Sequence, residues 1–109
     1  MVIITFRTRL KDGIDTHSLE QLGARMYELA SAMHGFIAYK DFAAQDGESL
    51  TLVQFADLES LAAWRDHPEH RVAQQRGREE FFSEYHIQVC TMVREYEFTL
   101  ARGRREMRG

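Results

Sequence analysis

The sequence predicts an α+β domain of the ferredoxin-like type, with helices on one face of a four-stranded antiparallel sheet. The first and last segments alternate apolar and polar residues, as half-buried strands do. A long segment between them repeats apolar residues at helical spacing, and a second helical stretch follows an Asp-Gly hairpin. The predicted order is therefore strand, helix, strand, strand, helix pair, strand.

Length and charge restrict the protein to a few classes. The 109 residues suit one domain, and 44% apolar with 28% charged residues is a globular balance. A net charge of -3 gives no reason to expect nucleic acid as a partner. The single cysteine, Cys90, and the absence of a leader-like or long apolar run lead us to expect a cytoplasmic protein without membrane contact. Residues 101–109 hold four arginines and one glutamate, so we expect a basic, solvated tail after a domain of residues 1–100.

The first half of the chain contains three strands and the clearest helix. Val2 to Leu10 alternates as a strand, and Phe36 to Ala44 and Ser49 to Ala56 form the predicted hairpin around Asp46-Gly47. The helix has apolar residues at spacings of 3, 4, 3 and 4, begins at Asp15, Thr16 or Ser18, and ends near His34 before Gly35. Its apolar stripe is Leu19, Leu22, Met26, Leu29 and Met33.

The stretch from Asp57 to Tyr85 holds the only tryptophan and the only proline. Asp57 is a candidate N-cap for a helix that runs to about Asp66. Pro68 then ends this helix and starts another, with His67 at the corner. One face of the second helix presents His70, Ala73, Gln74, Gly77 and Phe81.

The last segment, Tyr85 to Leu100, is rich in β-branched and aromatic residues and predicts one long strand. It exceeds the usual strand length of about 5 to 6 residues. We therefore expect it to extend past its own sheet onto a second copy of the chain, which makes the protein a homodimer.

The segment W-x-x-H-P-E-H-x-x-A-Q-x-x-G from Trp64 to Gly77, together with Gly35-Phe36 at the start of the second strand, resembles the antibiotic biosynthesis monooxygenase domain of the dimeric α+β barrel superfamily. The resemblance covers about residues 2–98. It implies a dimer whose two sheets form a barrel, with a pocket in each subunit between the inner sheet face and the helices. Members include oxygenases that use neither metal nor flavin, quinol monooxygenases, and enzymes that bind and degrade haem.

The haem-degrading branch implied by this resemblance uses an asparagine on the first strand, a tryptophan, and a histidine as iron ligand. Trp64 matches the tryptophan, whereas the other two positions hold Phe6 and Gln74, and His70 lies one turn before the ligand position. The sequence has no asparagine. His67, His70 and Glu69 do not form a convincing metal-ligand set, so we expect no metal site.

Three residues are candidate catalytic groups. His70 has the pKa range of a general base near neutral pH, although it also fits a partly exposed helix residue. Trp64 is either a core anchor or a flat wall against an aromatic substrate. Tyr85 could steady a developing oxyanion or pack at the rim of the sheet. Candidate substrate-binding residues are Phe6, Tyr39, Gln74, Gly77 and Phe81.

We expect an apolar pocket between the second helix and the sheet face that includes Phe6. The helix presents His70, Gln74 and Gly77 there, whereas large apolar side chains would be needed to fill the space against the sheet. The expected function is a monooxygenase without a cofactor, acting on a small electron-rich aromatic such as a quinol or polyketide-like phenol. Two alternatives remain open: a monooxygenase that binds and degrades haem, and a dimeric module that binds a small ligand without catalysis.

Overall fold

A computed structural model of the chain describes residues 1–108. Four strands form one antiparallel sheet in the order β2-β3-β1-β4. Their bounds are β1 Val2–Leu10, β2 Phe36–Ala43, β3 Ser49–Phe55 and β4 Phe82–Thr91. The helices are α1 Thr16–Ser31, α2 Leu58–Arg65 and α3 Pro68–Arg76, and a π-helical turn, the π segment, follows at Gly77–Phe81. The predicted ferredoxin-like α+β fold is confirmed.

Helix boundaries follow the capping chemistry of the sequence. Asp15 is the N-cap of α1, because its carboxylate accepts a hydrogen bond from the Ser18 amide at 3.2 Å. Asp57 caps α2 in the same way, through the Ser60 amide at 2.8 Å. α1 ends three residues before the predicted His34, and Gly35 completes the turn with a φ of 82°.

The core lies between the helices and one face of the sheet. It contains Val2, Ile4, Met26, Leu29, Ala30, Val53, Phe55, Leu61, Trp64 and Ala73. Val2 and Ile4 are paired with Phe55 and Val53 across β1 and β3, so four of these side chains form a continuous apolar floor. No helix within residues 1–108 is long and apolar enough to cross a membrane.

The predicted single strand from Tyr85 to Leu100 is wrong. β4 ends at Thr91, and a separate two-stranded sheet follows, with β5 Glu95–Thr99 antiparallel to β6 Gly103–Arg108. The apolar alternation changes phase here, from odd positions such as Ile87 and Val89 to even positions such as Tyr96 and Phe98. A continuous strand cannot keep both sets on one face, so the chain breaks at residues 92–94.

The segment expected to be a basic tail contains the second strand of this hairpin, β6. Arg105 in β6 donates a hydrogen bond to Glu97 in β5 at 2.8 Å, and Arg94, just before β5, donates one to Glu106 in β6 at 2.9 Å, so ion pairs join the two strands of the hairpin. The domain boundary predicted at residue 100 therefore falls at the turn of this hairpin.

Replacing either of two helical glycines by alanine should change the stability of the protein in opposite directions. A Cβ at Gly77 would lie 2.7 Å from the Phe82 ring, whereas a Cβ at Gly23 in α1 would meet nothing within 4 Å. We expect Gly77→Ala to lower the free energy of unfolding by about 1–3 kcal/mol through overpacking. We expect Gly23→Ala to raise it by about 0.5–1 kcal/mol through helix propensity. Urea unfolding measures both, and a stabilising Gly77→Ala would contradict the packing described.

Candidate functional site

The corner between α2 and α3 brings Trp64 and His70 together. α2 ends at Arg65, and His67 is the N-cap of α3, where its Nδ1 accepts a hydrogen bond from the Glu69 amide at 3.1 Å. Pro68 occupies the first turn of α3, where a missing amide hydrogen is harmless. The turn directs His70 back onto Trp64, with ring centroids 4.3 Å apart.

The hydrogen bonding of His70 fixes its tautomer. Its Nδ1 lies 3.2 Å from the carbonyl oxygen of Arg65, and a carbonyl can only accept, so Nδ1 carries the hydrogen. In the neutral ring, Nε2 is then an unprotonated acceptor. Burial lowers the pKa of His70 below its usual value of 6.5, and His67 acts in the same direction, although the bond to Arg65 opposes them. His70 therefore has the form a general base needs.

Trp64 contributes a buried donor without an acceptor. The side chain is only 6% exposed, and its ring packs on Phe55 with centroids 5.6 Å apart. Its Nε1 is buried and has no hydrogen-bond partner within residues 1–108. A buried N–H without a partner costs about 1–3 kcal/mol, so this donor is available to an acceptor that reaches it.

Phe6 and Tyr85 belong to a second aromatic group. The Phe6 ring lies 5.6 Å from Phe82 and 5.7 Å from Tyr85. Arg78, in the π segment, donates a hydrogen bond from Nη1 to the Tyr85 hydroxyl at 3.1 Å. No ring contact joins this group to the Trp64–His70 pair within the described part of the chain. The predicted site residues thus form two clusters.

The remaining predicted site residues, Gln74, Gly77, Phe81 and Tyr39, differ in burial and in position. Gln74 is half-buried on α3, one turn after His70. Phe81 is 1% exposed and therefore a core residue, and the Phe82 ring occupies the space beside Gly77, so neither residue lines an open pocket. Tyr39 packs on Tyr27 beneath α1, where burial and Asp41 raise its pKa to about 12.

The open cavities differ from the one expected. A cavity of about 250 Å³ includes Tyr85 but is otherwise polar, and it is lined by Arg7, Thr8, Glu48, Glu84, Tyr85 and His86. Another, of about 230 Å³, lies near the start of α2 and includes Asp57 and Ser60. Neither is lined by Trp64 or His70. Phe82, which the sequence argument overlooked, occupies the space expected to be empty above Gly77.

The residues present do not fit haem. A ligand ring beside His70 would need open space along α3, yet Trp64 Nε1 is fully buried and Phe82 is packed against Gly77. Within residues 1–108, no group of three or more His, Cys, Asp or Glu side chains is arranged to hold a metal ion.

The family model for antibiotic biosynthesis monooxygenase matches residues 1–76, which include both strands of the hairpin and the Trp64–His70 corner. The chain belongs to this family. Membership supports a monooxygenase-like function at the coarse level and leaves the substrate open.

Similar proteins agree on the fold. The Bacillus subtilis protein YqjZ, described as uncharacterized, is 28% identical over 74 residues, which are 68% of this chain and 65% of that protein, so less than two thirds of the relative is matched. An antibiotic biosynthesis monooxygenase homologue from Deinococcus radiodurans superposes with a TM-score of 0.78 at 15% identity, covering 91% of this chain and 99% of that one. A variant of SnoaB from Streptomyces nogalater, which is named a cofactor-independent oxygenase, superposes with a TM-score of 0.72 at 13% identity. The match covers 84% of this chain and 92% of that one.

Arg78 contacts the candidate residue Tyr85, and the sequence argument did not single it out. It follows Gly77 in a run of charged residues, G-R-E-E, which has no motif that distinguishes it from a solvated surface. Only the π segment, whose wider turn reorients the side chains, places it over Tyr85.

The lowered pKa of His70 predicts a specific pH dependence of stability. Between the folded pKa and 6.5, the unfolded chain binds more protons than the folded one, so the free energy of unfolding falls as pH decreases through 6.5 and levels off below the folded pKa. His70→Gln should reduce this fall. Urea unfolding between pH 7.5 and 5 tests it, with exposed His17→Gln as the control. An unchanged slope in His70→Gln would contradict a depressed pKa.

Proposed function

We propose that this protein is a monooxygenase that needs no cofactor and oxidises a small electron-rich aromatic, a quinol or a polyketide-like phenol, as a homodimer. The observation that carries the proposal is the Trp64–His70 pair, an indole N–H without an acceptor beside an imidazole with a free Nε2. One group donates and the other accepts, which suits a phenol that loses its proton during the reaction.

The substrate supplies the electrons. His70 Nε2 takes the phenolic proton, and the resulting phenolate gives electrons to dioxygen as a carbon–oxygen bond forms at a ring carbon ortho or para to the phenolate oxygen, one that still carries a hydrogen. The peroxide takes up a proton, and loss of water then breaks the O–O bond and the ring C–H bond. Phenol and dioxygen thus become quinone and water, with no external reductant.

Trp64 stabilises the charge that this sequence creates. Its Nε1–H donates to the phenolate oxygen, and the bond strengthens when that oxygen becomes anionic. The surroundings of Trp64, mainly Phe55 and the His70 ring, exclude water and strengthen the interaction. Gln74 is a further hydrogen-bond partner for the substrate, one turn along the same helix.

Substrate must displace protein before it reaches this donor, because Trp64 Nε1 is closed off from solvent. Phe82 and the π segment fill the space beside Gly77, so their displacement is the movement that we propose for substrate entry. Phe6 then forms the far wall, with Tyr85 held by Arg78 at the rim.

Turnover should depend on His70 as a base. Oxygen uptake is measured with a panel of quinols and polycyclic phenols, corrected for oxidation without protein. His70→Ala should lower kcat by about 10²- to 10⁴-fold and remove the acid limb of the pH profile, which in the unsubstituted protein lies below pH 6.5. His17→Ala is the matched control, because His17 is exposed on α1. An unchanged profile in His70→Ala would exclude the role of base.

Binding without any oxygen uptake across the panel would favour the non-catalytic ligand-binding module instead. Trp64 is the only tryptophan, so quenching of its fluorescence reports ligand binding directly. The fluorescence measurement thus distinguishes a protein that binds the aromatic ligand without oxidising it from a protein that does not bind it.

Replacement of Trp64 separates its donor from its packing. Trp64→Phe keeps an aromatic ring but deletes the N–H, so it should lower kcat by about 10- to 100-fold. The fold should lose only about 1–2 kcal/mol, the cost of a smaller ring, because no hydrogen bond is broken. Oxygen uptake and urea unfolding give the two values. Full activity in Trp64→Phe would show that the indole serves packing alone.

A further inference from the structure

Arg78 differs from its charged neighbours in that no carboxylate pairs with it. It lies in the π segment, and none of the ion pairs within residues 1–108 includes it. The nearby glutamates have other partners. Glu80 pairs with Arg76 at 2.7 Å, and Glu84 pairs with Arg9 at 3.2 Å. The positive charge of Arg78 is thus available to an anion from outside the chain.

A neutral hydroxyl holds the Arg78 side chain in place. Its Nη1 donates a hydrogen bond to the Tyr85 hydroxyl oxygen at 3.1 Å, and Tyr85 packs on the Phe6 ring. The other N–H groups of the guanidinium are free to bind a further acceptor, because Arg78 is exposed. A planar fork of such donors fits the two oxygens of a carboxylate.

An apolar surface of three rings lies beside Arg78. Phe6, Phe82 and Tyr85 pack on one another with ring centroids between 5.6 and 6.5 Å apart. Phe6 and Phe82 are half-buried and Tyr85 is 37% exposed, so these rings are not sealed into the core. A flat ligand can pack on such rings, and a guanidinium at their edge can bind its acidic group.

We propose that Arg78 determines substrate specificity by binding a carboxylate, so that the preferred substrate is an aromatic acid with a phenolic hydroxyl. The inference rests on the proposed function, in which His70 takes the phenolic proton. Arg78 binds the opposite end of the same molecule through its free N–H groups. Its contact with Tyr85 keeps the guanidinium beside the three rings.

The spacing of His70 and Arg78 along the chain restricts the shape of this acid. His70 lies in the first turn of α3, and Arg78 lies eight residues later in the π segment. At about 1.5 Å of rise per residue, the two backbone positions are roughly 12 Å apart along the helix axis. A carboxylate next to the phenol would remain near His70, whereas one at the far end of two fused rings extends towards Arg78. The expected substrate therefore has at least two fused rings, with its hydroxyl and its carboxylate at opposite ends.

A second point of attachment also selects the carbon that is oxidised. A phenol that is bound only through its oxygen, between Trp64 and His70, can still turn about that contact. A carboxylate bound to Arg78 removes this freedom, because a rigid ring system held at both ends keeps one orientation. Arg78 therefore favours oxidation at one of the ring carbons ortho or para to the hydroxyl.

Binding without oxygen tests the inference independently of turnover. Calorimetric titration of the full chain under argon compares 6-hydroxy-2-naphthoate, whose hydroxyl and acid lie at opposite ends, with its uncharged methyl ester. The acid should bind about 5- to 20-fold more tightly than the ester at low salt. Arg78→Gln should remove this preference and change the affinity for the ester by less than about threefold. Arg71→Gln is the matched control, because it removes an exposed arginine of α3 and should leave the preference unchanged.

A second ligand and a second variant separate position from charge. The affinity for 3-hydroxy-2-naphthoate, which carries its acid beside the hydroxyl, should change by less than about threefold in Arg78→Gln. Arg78→Lys keeps the charge but loses the planar fork, so it should retain only part of the preference for 6-hydroxy-2-naphthoate. The inference is overturned if the unsubstituted protein does not prefer the acid, if Arg78→Gln keeps the preference, or if neither the acid nor its ester binds. The expected preference without oxygen uptake would support the role of Arg78 and contradict only the proposed oxidation.

Discussion

The hydrogen bond from His70 Nδ1 to the carbonyl of Arg65 is the constraint on which the candidate site depends. α2 must end at Arg65 for this carbonyl to be free, and the chain must turn at His67-Pro68 for His70 to reach it. The corner therefore places the imidazole on Trp64, and this one contact assigns the proton to Nδ1. By ending α2, Pro68 thus determines which ring nitrogen of His70 carries the proton.

Aromatic packing determines how much room surrounds this pair. Phe82 is packed against Gly77 and contacts Phe6, so the space beside Gly77 is filled by protein. A glycine at residue 77 serves this packing, because any Cβ there would overlap the ring. The same crowding leaves no open space for a large planar group beside Gly77.

Most of the fold could be predicted from the sequence, because the strand alternation of β1, the Asp-Gly hairpin and the Pro68 corner are local signals. Pairing of Trp64 with His70 also follows from that corner. Filling of the pocket by Phe82 could not be predicted, since it depends on a bulge between β1 and β4 at Arg9-Leu10 and on the π segment. The switch of the apolar residues from odd to even positions before Tyr96 indicates that the last strand is divided. The run of β-branched and aromatic residues nevertheless favoured one continuous strand. Tyr39 was a misleading candidate, because its phenol is buried beneath α1.

The most direct test of this account is the protonation state of His70 in the folded protein. Long-range ¹H–¹⁵N correlation spectra of uniformly labelled protein, assigned with His70→Gln, report which ring nitrogen carries the hydrogen at each pH. The expected result is a neutral ring at pH 7 with hydrogen on Nδ1 and an unprotonated Nε2, titrating below 6.5. A ring with hydrogen on Nε2, or one still protonated at pH 7, would contradict it.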